Sequence, residues 1–149
     1  RDANPADHSW CEKHHDFHET RAHAVLERVG LWEKRSAFAS ELSYGQRKLL
    51  EIARALATDA SIILFDEPFA GLFPEMVKQV SGIIKELRTE GKTIVLIEHD
   101  MAIIRELCDH VIVLDAGKLL ADGKPNEVLN DPKVVEAYLG KWNLTLNFH

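Results

Sequence analysis

Leu42-Ser43-Tyr44-Gly45-Gln46 is a short polar stretch that stands directly before an amphipathic segment. The residues after it have the i, i+3, i+4, i+7 spacing of one buried helical stripe: Leu49, Ile52, Ala53 and Leu56. Ser43 is a favoured N-cap residue, and Gly45 lets the backbone come close to whatever lies at the helix start. The N–H groups of the first turn and the positive end of the helix dipole suit a phosphate. Taken alone, a serine in this place is more often a plain helix cap than an anion site.

Two apolar segments further along the chain end in charged side chains. Ile62–Phe65 is followed by Asp66-Glu67-Pro68, and Thr93–Ile97 is followed by Glu98-His99-Asp100. A continuous apolar run is typical of a buried parallel strand. Because ligands of open α/β sheets bind at the carboxyl ends of the strands, the charged residues lie where chemistry is expected. The alternation of strands and helices predicts a parallel α/β core.

The remaining elements follow from the same periodicities. A helix from about 19 to 29 ends at Gly30, and a helix that begins at Pro74 carries the stripe Met76, Val77, Val80, Ile83, Ile84 and Leu87. Strands are predicted at 111–114 and 118–121 around a turn, and helices at about 101–107, 125–129 and 132–139.

Composition and charge exclude several classes of protein. Apolar residues make up 46% and charged residues 28% of the 149-residue chain, as in ordinary globular proteins. The net charge of −6 argues against a basic nucleic-acid-binding surface, so we expect no nucleic-acid partner. Cys11 and Cys108 lie outside any CxxC pattern, which favours reduced thiols in the cytoplasm. No apolar run approaches the roughly 20 residues of a membrane-spanning helix, so membrane association is expected to go through a partner.

Residues 1–18 form a polar segment with no clear apolar period. It contains four histidines and a cysteine: His8, Cys11, His14, His15 and His18. Imidazole is a common zinc ligand, but these residues do not have a recognised finger spacing. We interpret the segment as a solvated connection.

The order of the motifs from about Ala24 to Gly140 resembles the second half of an ATP-binding cassette (ABC) ATPase domain. The shared pieces are the loop 42–46 with its helix, the strand ending in Asp-Glu-Pro, and the strand followed by His99. The resemblance implies an α/β fold class, a partial P-loop NTPase fold with a parallel sheet core that lacks the N-terminal half. The implied division is a polar N-terminal segment (1–18), part of the small helical subdomain with the signature loop (19–57), the C-terminal part of the ATPase core with its tail (58–140), and an unassigned tail (141–149).

The resemblance also implies roles for single residues. The signature loop, which in the family reaches the γ-phosphate of ATP held by the opposite subunit, matches Ser43, Tyr44, Gly45 and Gln46. Asp66 matches the carboxylate that holds Mg²⁺ through water, as suits a hard oxygen ligand. Glu67 matches the residue that polarises the attacking water, and His99 matches the switch histidine at the γ-phosphate. Singly, these three also fit a helix cap, a solvated rim and a surface histidine.

Four departures from the family pattern limit the activity that the resemblance implies. No GxxxxGK[ST] phosphate loop occurs in the sequence, and the family's adenine-stacking aromatic and sensor glutamine have no match. We therefore expect a C-terminal fragment that does not hydrolyse ATP alone, with the apolar stripe after Pro74 left partly in water. Phe73 stands where the family's D-loop has Asp or Asn, which puts the coupling of two ATP sites in doubt.

Several segments resemble the ATPase subunit of branched-chain amino-acid importers. They are Tyr44, the helix segment 50–56, the stretches 70–72 and 97–101, and the ending Ala137-Tyr138-Leu139-Gly140. That family implies a second ATP-binding subunit and transmembrane permease subunits as partners, and a location on the inner face of the cell membrane. The alternatives are the ATPase of a lipid or lipopolysaccharide exporter, a non-transport ABC protein, and an inactive interaction fragment.

Overall fold

The computed structural model of the chain describes residues 18–139. Most of the predicted N-terminal segment, with Cys11 and three of its histidines, lies outside the described residues. Gly140 and the unassigned tail 141–149 also lie outside them. The helices are α1 (18–28), α2 (Tyr44–Ala57), α3 (Pro74–Thr89), α4 (Met101–Leu107), α5 (Pro125–Val128) and α6 (Pro132–Leu139). The strands are β1 (Ile62–Asp66), β2 (Thr93–Ile97), β3 (Val111–Asp115) and β4 (Lys118–Gly123). Two short 3-10 turns that the sequence did not predict lie at Trp32–Lys34 and Ala39–Glu41.

The described residues divide along the chain into two compact units, and the boundary falls within β2, between Val95 and Leu96. In the first unit, α1 ends as the sequence predicted. Gly30 has a φ of +68°, and the N–H of Leu31 donates to the C=O of Leu26 at 2.8 Å. A glycine in the left-handed conformation with this hydrogen bond is a common way for a helix to end.

The first unit contains β1 and the first residues of β2, and these strands are hydrogen-bonded neighbours in a parallel sheet. Its core includes residues from several elements that line one small cavity: Val25 of α1, Leu56 of α2, Ile63 of β1 and Leu87 of α3. All four members of the predicted α2 stripe are buried, as the helical spacing predicted.

The stripe on α3 is better covered than the sequence predicted. Val80 is 0% exposed, and Ile83, Ile84 and Leu87 are between 2% and 4% exposed. The two stripe residues in the first turn of α3, Met76 and Val77, are half-buried. The expectation that this stripe lies partly in water was wrong for its central and C-terminal turns, because these side chains are already buried within the described residues.

One face of the sheet is an uncovered apolar surface, which we call the open sheet face and define by Ile62, Leu64 and Val95. In β1, Ile63 and Phe65 are 6% exposed, whereas Ile62 is 56% and Leu64 68% exposed. Val95 of β2 is 44% exposed. The apolar run of β1 predicted a strand covered on both faces, but in the described residues β1 alternates between buried and exposed positions.

A charged cluster fixes the turn between α2 and β1. Asp59 has a φ of +55°, and its carboxylate Oδ1 accepts a hydrogen bond from Nζ of Lys92 at 2.8 Å. This hydrogen bond and the positive charge of Lys92 hold the pKa of Asp59 below its ordinary value, with a smaller contribution from Arg21. The contact joins the start of β1 to the start of β2.

The second unit is built on an antiparallel hairpin of β3 and β4. Asp115 pairs with Lys118 across a two-residue loop, and both loop residues have a positive φ, Ala116 of 46° and Gly117 of 76°. Two positive φ angles define the turn type whose twist suits a hairpin. One side of the hairpin joins a small core of Ile104, Val111, Val113, Val128, Leu129 and Val134. The predicted second arm was two residues too short, because β4 continues to Gly123.

In residues 18–139, no helix is both long enough and apolar enough to cross a membrane.

Candidate functional site

The polar stretch at the start of α2 is held by a reciprocal pair of hydrogen bonds. Ser43 is the N-cap, and its Oγ accepts from the N–H of Gln46 at 3.3 Å. The side-chain Oε1 of Gln46 accepts from the N–H of Ser43 at 3.0 Å. This is a capping box, which satisfies two backbone donors that a helix start otherwise leaves open. Ser43 is therefore the N-cap that the sequence predicted, and Gln46 completes the capping box.

Gly45 has a packing role that the sequence did not reveal. A Cβ atom built on this residue would lie 2.4 Å from Sδ of Met76 and 3.6 Å from Cδ2 of Leu72. A glycine thus allows the first turn of α2 to contact the first turn of α3 and the loop before it. The sequence predicted that some group comes close to the backbone of Gly45. In this structure that group is the side chain of Met76.

Tyr44, the first residue of α2, contacts the loop that follows β1. Its hydroxyl donates a hydrogen bond to the C=O of Ala70 at 3.3 Å, and the side of its ring lies against Gly71. The tyrosine is 50% exposed. The contact spans 26 positions of sequence, so the local pattern carried no signal for it.

The two predicted carboxylates lie at the carboxyl end of β1 and both are exposed. Asp66 is the last residue of the strand, and Glu67 follows with a φ of +46°. This conformation is strained for a residue with a side chain, at a cost of about 1–3 kcal/mol, and such residues concentrate at functional sites. The C=O of Glu67 accepts from the N–H of Ala70 at 3.2 Å, so the chain turns back immediately.

The oxygen ligands at this strand end fit a magnesium ion only in part. Exposed carboxylates of Asp66 and Glu67 are the hard donors that Mg²⁺ accepts, and Mg²⁺ commonly keeps several waters and binds one or two carboxylates plus phosphate oxygens. Among residues 18–139, no group of three or more histidine, cysteine or acidic side chains is arranged to hold a metal ion. The rest of the coordination shell would therefore come from water and phosphate.

His99 lies in the second unit, between β2 and α4. Its side chain is 67% exposed, and its N–H donates to Oε2 of Glu98 at 3.1 Å. The side chain of Glu98 is only 2% exposed, and its Oε2 lies 3.9 Å from Nδ1 of the exposed histidine. Asp100 caps α4, because its Oδ1 accepts from the N–H of Ala102 at 2.8 Å. Sequence reasoning placed Glu98 at a strand end but did not predict its burial.

Phe73 is the N-cap of α3 and makes no side-chain capping bond. It is 77% exposed, while Pro74 occupies the first helical position as predicted. An Asp or Asn cap typically stabilises a helix by about 0.5–2 kcal/mol. This exposed aromatic ring therefore lacks the capping role that the family's usual residue has.

Comparison with known proteins identifies the family. The profile described as "ABC transporter" matches residues 4–70, and the profile described as "Branched-chain amino acid ATP-binding cassette transporter" matches residues 118–141. The high-affinity branched-chain amino acid transport ATP-binding protein LivG of Salmonella typhimurium is 45% identical over 122 residues, which are 81% of this chain and 48% of that protein. The chain belongs to the ABC transporter ATP-binding family.

Other relatives and solved structures agree with this family. LivG of Escherichia coli K12 is 44% identical over 81% of the chain, and the arginine transport ATP-binding protein ArtM of Bacillus subtilis is 44% identical over 76%. The crystal structure of an ABC transporter cassette in its ADP conformation matches with a TM-score of 0.73 and 39% identity. The matched region is 82% of this chain and 50% of that cassette. A nucleotide-free cassette has a TM-score of 0.75 and 38% identity.

The chain spans about half the length of the curated relatives it matches. The resemblance to ABC ATPases and the partial α/β fold class predicted from the sequence are both confirmed. The chain is part of an ABC ATP-binding subunit and is similar to branched-chain amino-acid importer ATPases.

Proposed function

We propose that this chain is the C-terminal part of an ATPase subunit that powers the import of branched-chain amino acids. The observation that carries the proposal is the match of residues 118–141 to the branched-chain transporter profile. Sequence identity alone does not separate the amino-acid classes, because relatives named for arginine and glutamine transport are also 42–44% identical. Overall identity therefore favours amino-acid import, and the C-terminal match favours the branched-chain class.

In this proposal the start of α2 faces the ATP held by a second ATP-binding subunit. Ser43, Tyr44, Gly45 and Gln46 form this surface. The N–H groups of Tyr44 and Gly45 lie in the first helical turn, where the helix offers them no acceptor, and the helix dipole favours an anion there. The capping box holds this turn in one conformation before a phosphate arrives.

The end of β1 supplies the hydrolytic groups. Asp66 would hold Mg²⁺ through water, and the ion when bound would offset the negative charge of the phosphates. Glu67 accepts the proton of the attacking water, and its exposed position at the strand end leaves room for that water. The family resemblance assigns His99 to the γ-phosphate, and the backbone N–H of His99 donates a hydrogen bond to Oε2 of Glu98.

The proposed partners are a second ATP-binding subunit and transmembrane permease subunits, with the protein on the cytoplasmic side of the membrane. One solved relative, at 31% identity and a TM-score of 0.66, is described as part of the ABC transporter complex cbiONQ. ATP and Mg²⁺ are the cofactors. Residues 19–57 are assigned to the helical subdomain and 58–140 to the ATPase core and tail.

Import can be tested with what we call the joined subunit, a fusion of the N-terminal half of Escherichia coli LivG to this chain. We expect it to co-purify with the permease subunits that serve LivG and to restore leucine uptake in cells without LivG. The same fusion with the matching segment of ArtM in place of residues 118–141 is the control and should restore less uptake. Restored arginine uptake without leucine uptake would contradict the branched-chain assignment.

A further inference from the structure

We infer that Tyr44 is a positioning residue that fixes the turn after Glu67 and thereby the backbone of Glu67 itself. The catalytic consequence rests on the proposed function, in which Glu67 activates water. The structural part of the inference depends only on contacts within the first unit.

Two hydrogen bonds link the tyrosine to the glutamate. The hydroxyl of Tyr44 donates to the C=O of Ala70 at 3.3 Å, and the N–H of the same alanine donates to the C=O of Glu67 at 3.2 Å. A third bond, from the N–H of Leu72 to the C=O of Phe69 at 3.1 Å, closes the next turn. The segment 67–72 is therefore tightly wound, and Tyr44 holds it from outside.

The ring of Tyr44 makes a second contact with this segment. Gly71 has a φ of +70°, and a Cβ atom built on it would lie 3.0 Å from Cε1 of the ring. A larger residue would be strained by its backbone angle and crowded by the ring. The ring of Tyr44 therefore packs against a position that only glycine fits well. Nothing in the sequence alone indicates that these two residues are in contact.

Glu67 needs this support because its own conformation is unfavourable. A strained backbone angle persists only where the surroundings over-determine it. Pro68 and Phe69 are buried and hold one side of the turn, whereas Ala70 and Gly71 lie towards the surface. The hydroxyl and the ring of Tyr44 contact this outer side, so loss of these contacts should let Glu67 sample other orientations.

The test uses Tyr44→Phe in the joined subunit, which removes one oxygen atom and keeps the ring. Loss of a neutral hydrogen bond of ordinary strength predicts a fall in kcat of about two- to tenfold. The KM for ATP should stay within about twofold, because the phosphate loop in the other half is untouched. Hydrogen exchange at the amides of Ala70 and Leu72 should accelerate by a similar factor. Gly71→Ala, which crowds the ring, should change the same quantities in the same directions.

The matched control is Tyr138→Phe, since Tyr138 is the other tyrosine of the chain and lies in α6. It should leave kcat and the exchange of both amides unchanged. A merely structural role for Tyr44 would lower the melting temperature without separating kcat from KM. Unchanged exchange at Ala70 and Leu72 in Tyr44→Phe would overturn the inference, and so would an unchanged kcat. If the parent joined subunit hydrolyses no ATP, the proposed function fails, and the exchange rates alone decide whether Tyr44 fixes the turn.

Discussion

Replacing Glu67 by glutamine in the joined subunit is expected to slow ATP hydrolysis by about 10²–10⁴-fold, the usual contribution of a positioned general base. The amide has nearly the same shape as the carboxylate but cannot accept the proton of the attacking water. ATP binding should persist, because Asp66 and the phosphate loop are unchanged. The joined subunit should therefore accumulate as an ATP-bound dimer, which size-exclusion chromatography with Mg²⁺ and ATP detects.

Glu136→Gln is a matched control for this substitution, because Glu136 is exposed on α6 and belongs to no proposed site. It should hydrolyse ATP at the parent rate and show no trapped dimer. A monomeric Glu67→Gln protein with parental turnover would contradict the role assigned to Glu67.

The 149-residue chain on its own is expected to be poorly soluble or oligomeric and to melt over a broad temperature range. The reason is the open sheet face of Ile62, Leu64 and Val95, which are 56%, 68% and 44% exposed. Fully burying one such side chain contributes about 1.5–3 kcal/mol. Leaving three of them largely in water forgoes several kcal/mol, a large part of the 5–15 kcal/mol by which a domain is typically stable. Exposed apolar strands also favour pairing between chains.

Circular dichroism melting and size-exclusion chromatography compare the isolated chain with the joined subunit. The joined subunit should melt sharply, because the other half has the surface to cover a second sheet face, as parallel sheets require. Leu64→Thr is the diagnostic variant: it should make the isolated chain more soluble and lower the melting temperature of the joined subunit. A monomeric isolated chain with a sharp transition would show that the open sheet face needs no cover.

The helices were predictable because their stripes are periodic over several turns. The α2 stripe from Leu49 to Leu56 is buried as predicted, and α1 ends at Gly30 because only a left-handed residue makes that hydrogen bond readily. The open sheet face was not predictable in the same way. A run such as Ile62–Phe65 predicts a strand that is apolar on both faces. It does not indicate which of the two faces is buried by the other elements of this chain.

The candidate site was predictable as a set of positions and not as a set of contacts. The strand-end placement of Asp66 and Glu67 follows from local sequence, as does the N-cap role of Ser43. The contacts of Tyr44 with Ala70 and of Gly45 with Met76 join segments 26 and 31 positions apart. No short-range pattern encodes such distances.

The measurement that tests the central claim most directly is phosphate release with Mg²⁺ and ATP by the isolated chain and by the joined subunit. If the chain supplies Asp66, Glu67 and His99 to a site whose phosphate loop lies in the other half, the joined subunit releases phosphate and the isolated chain does not. Phosphate release by the isolated chain that disappears in Glu67→Gln would contradict this account, and so would a well-folded joined subunit that releases none.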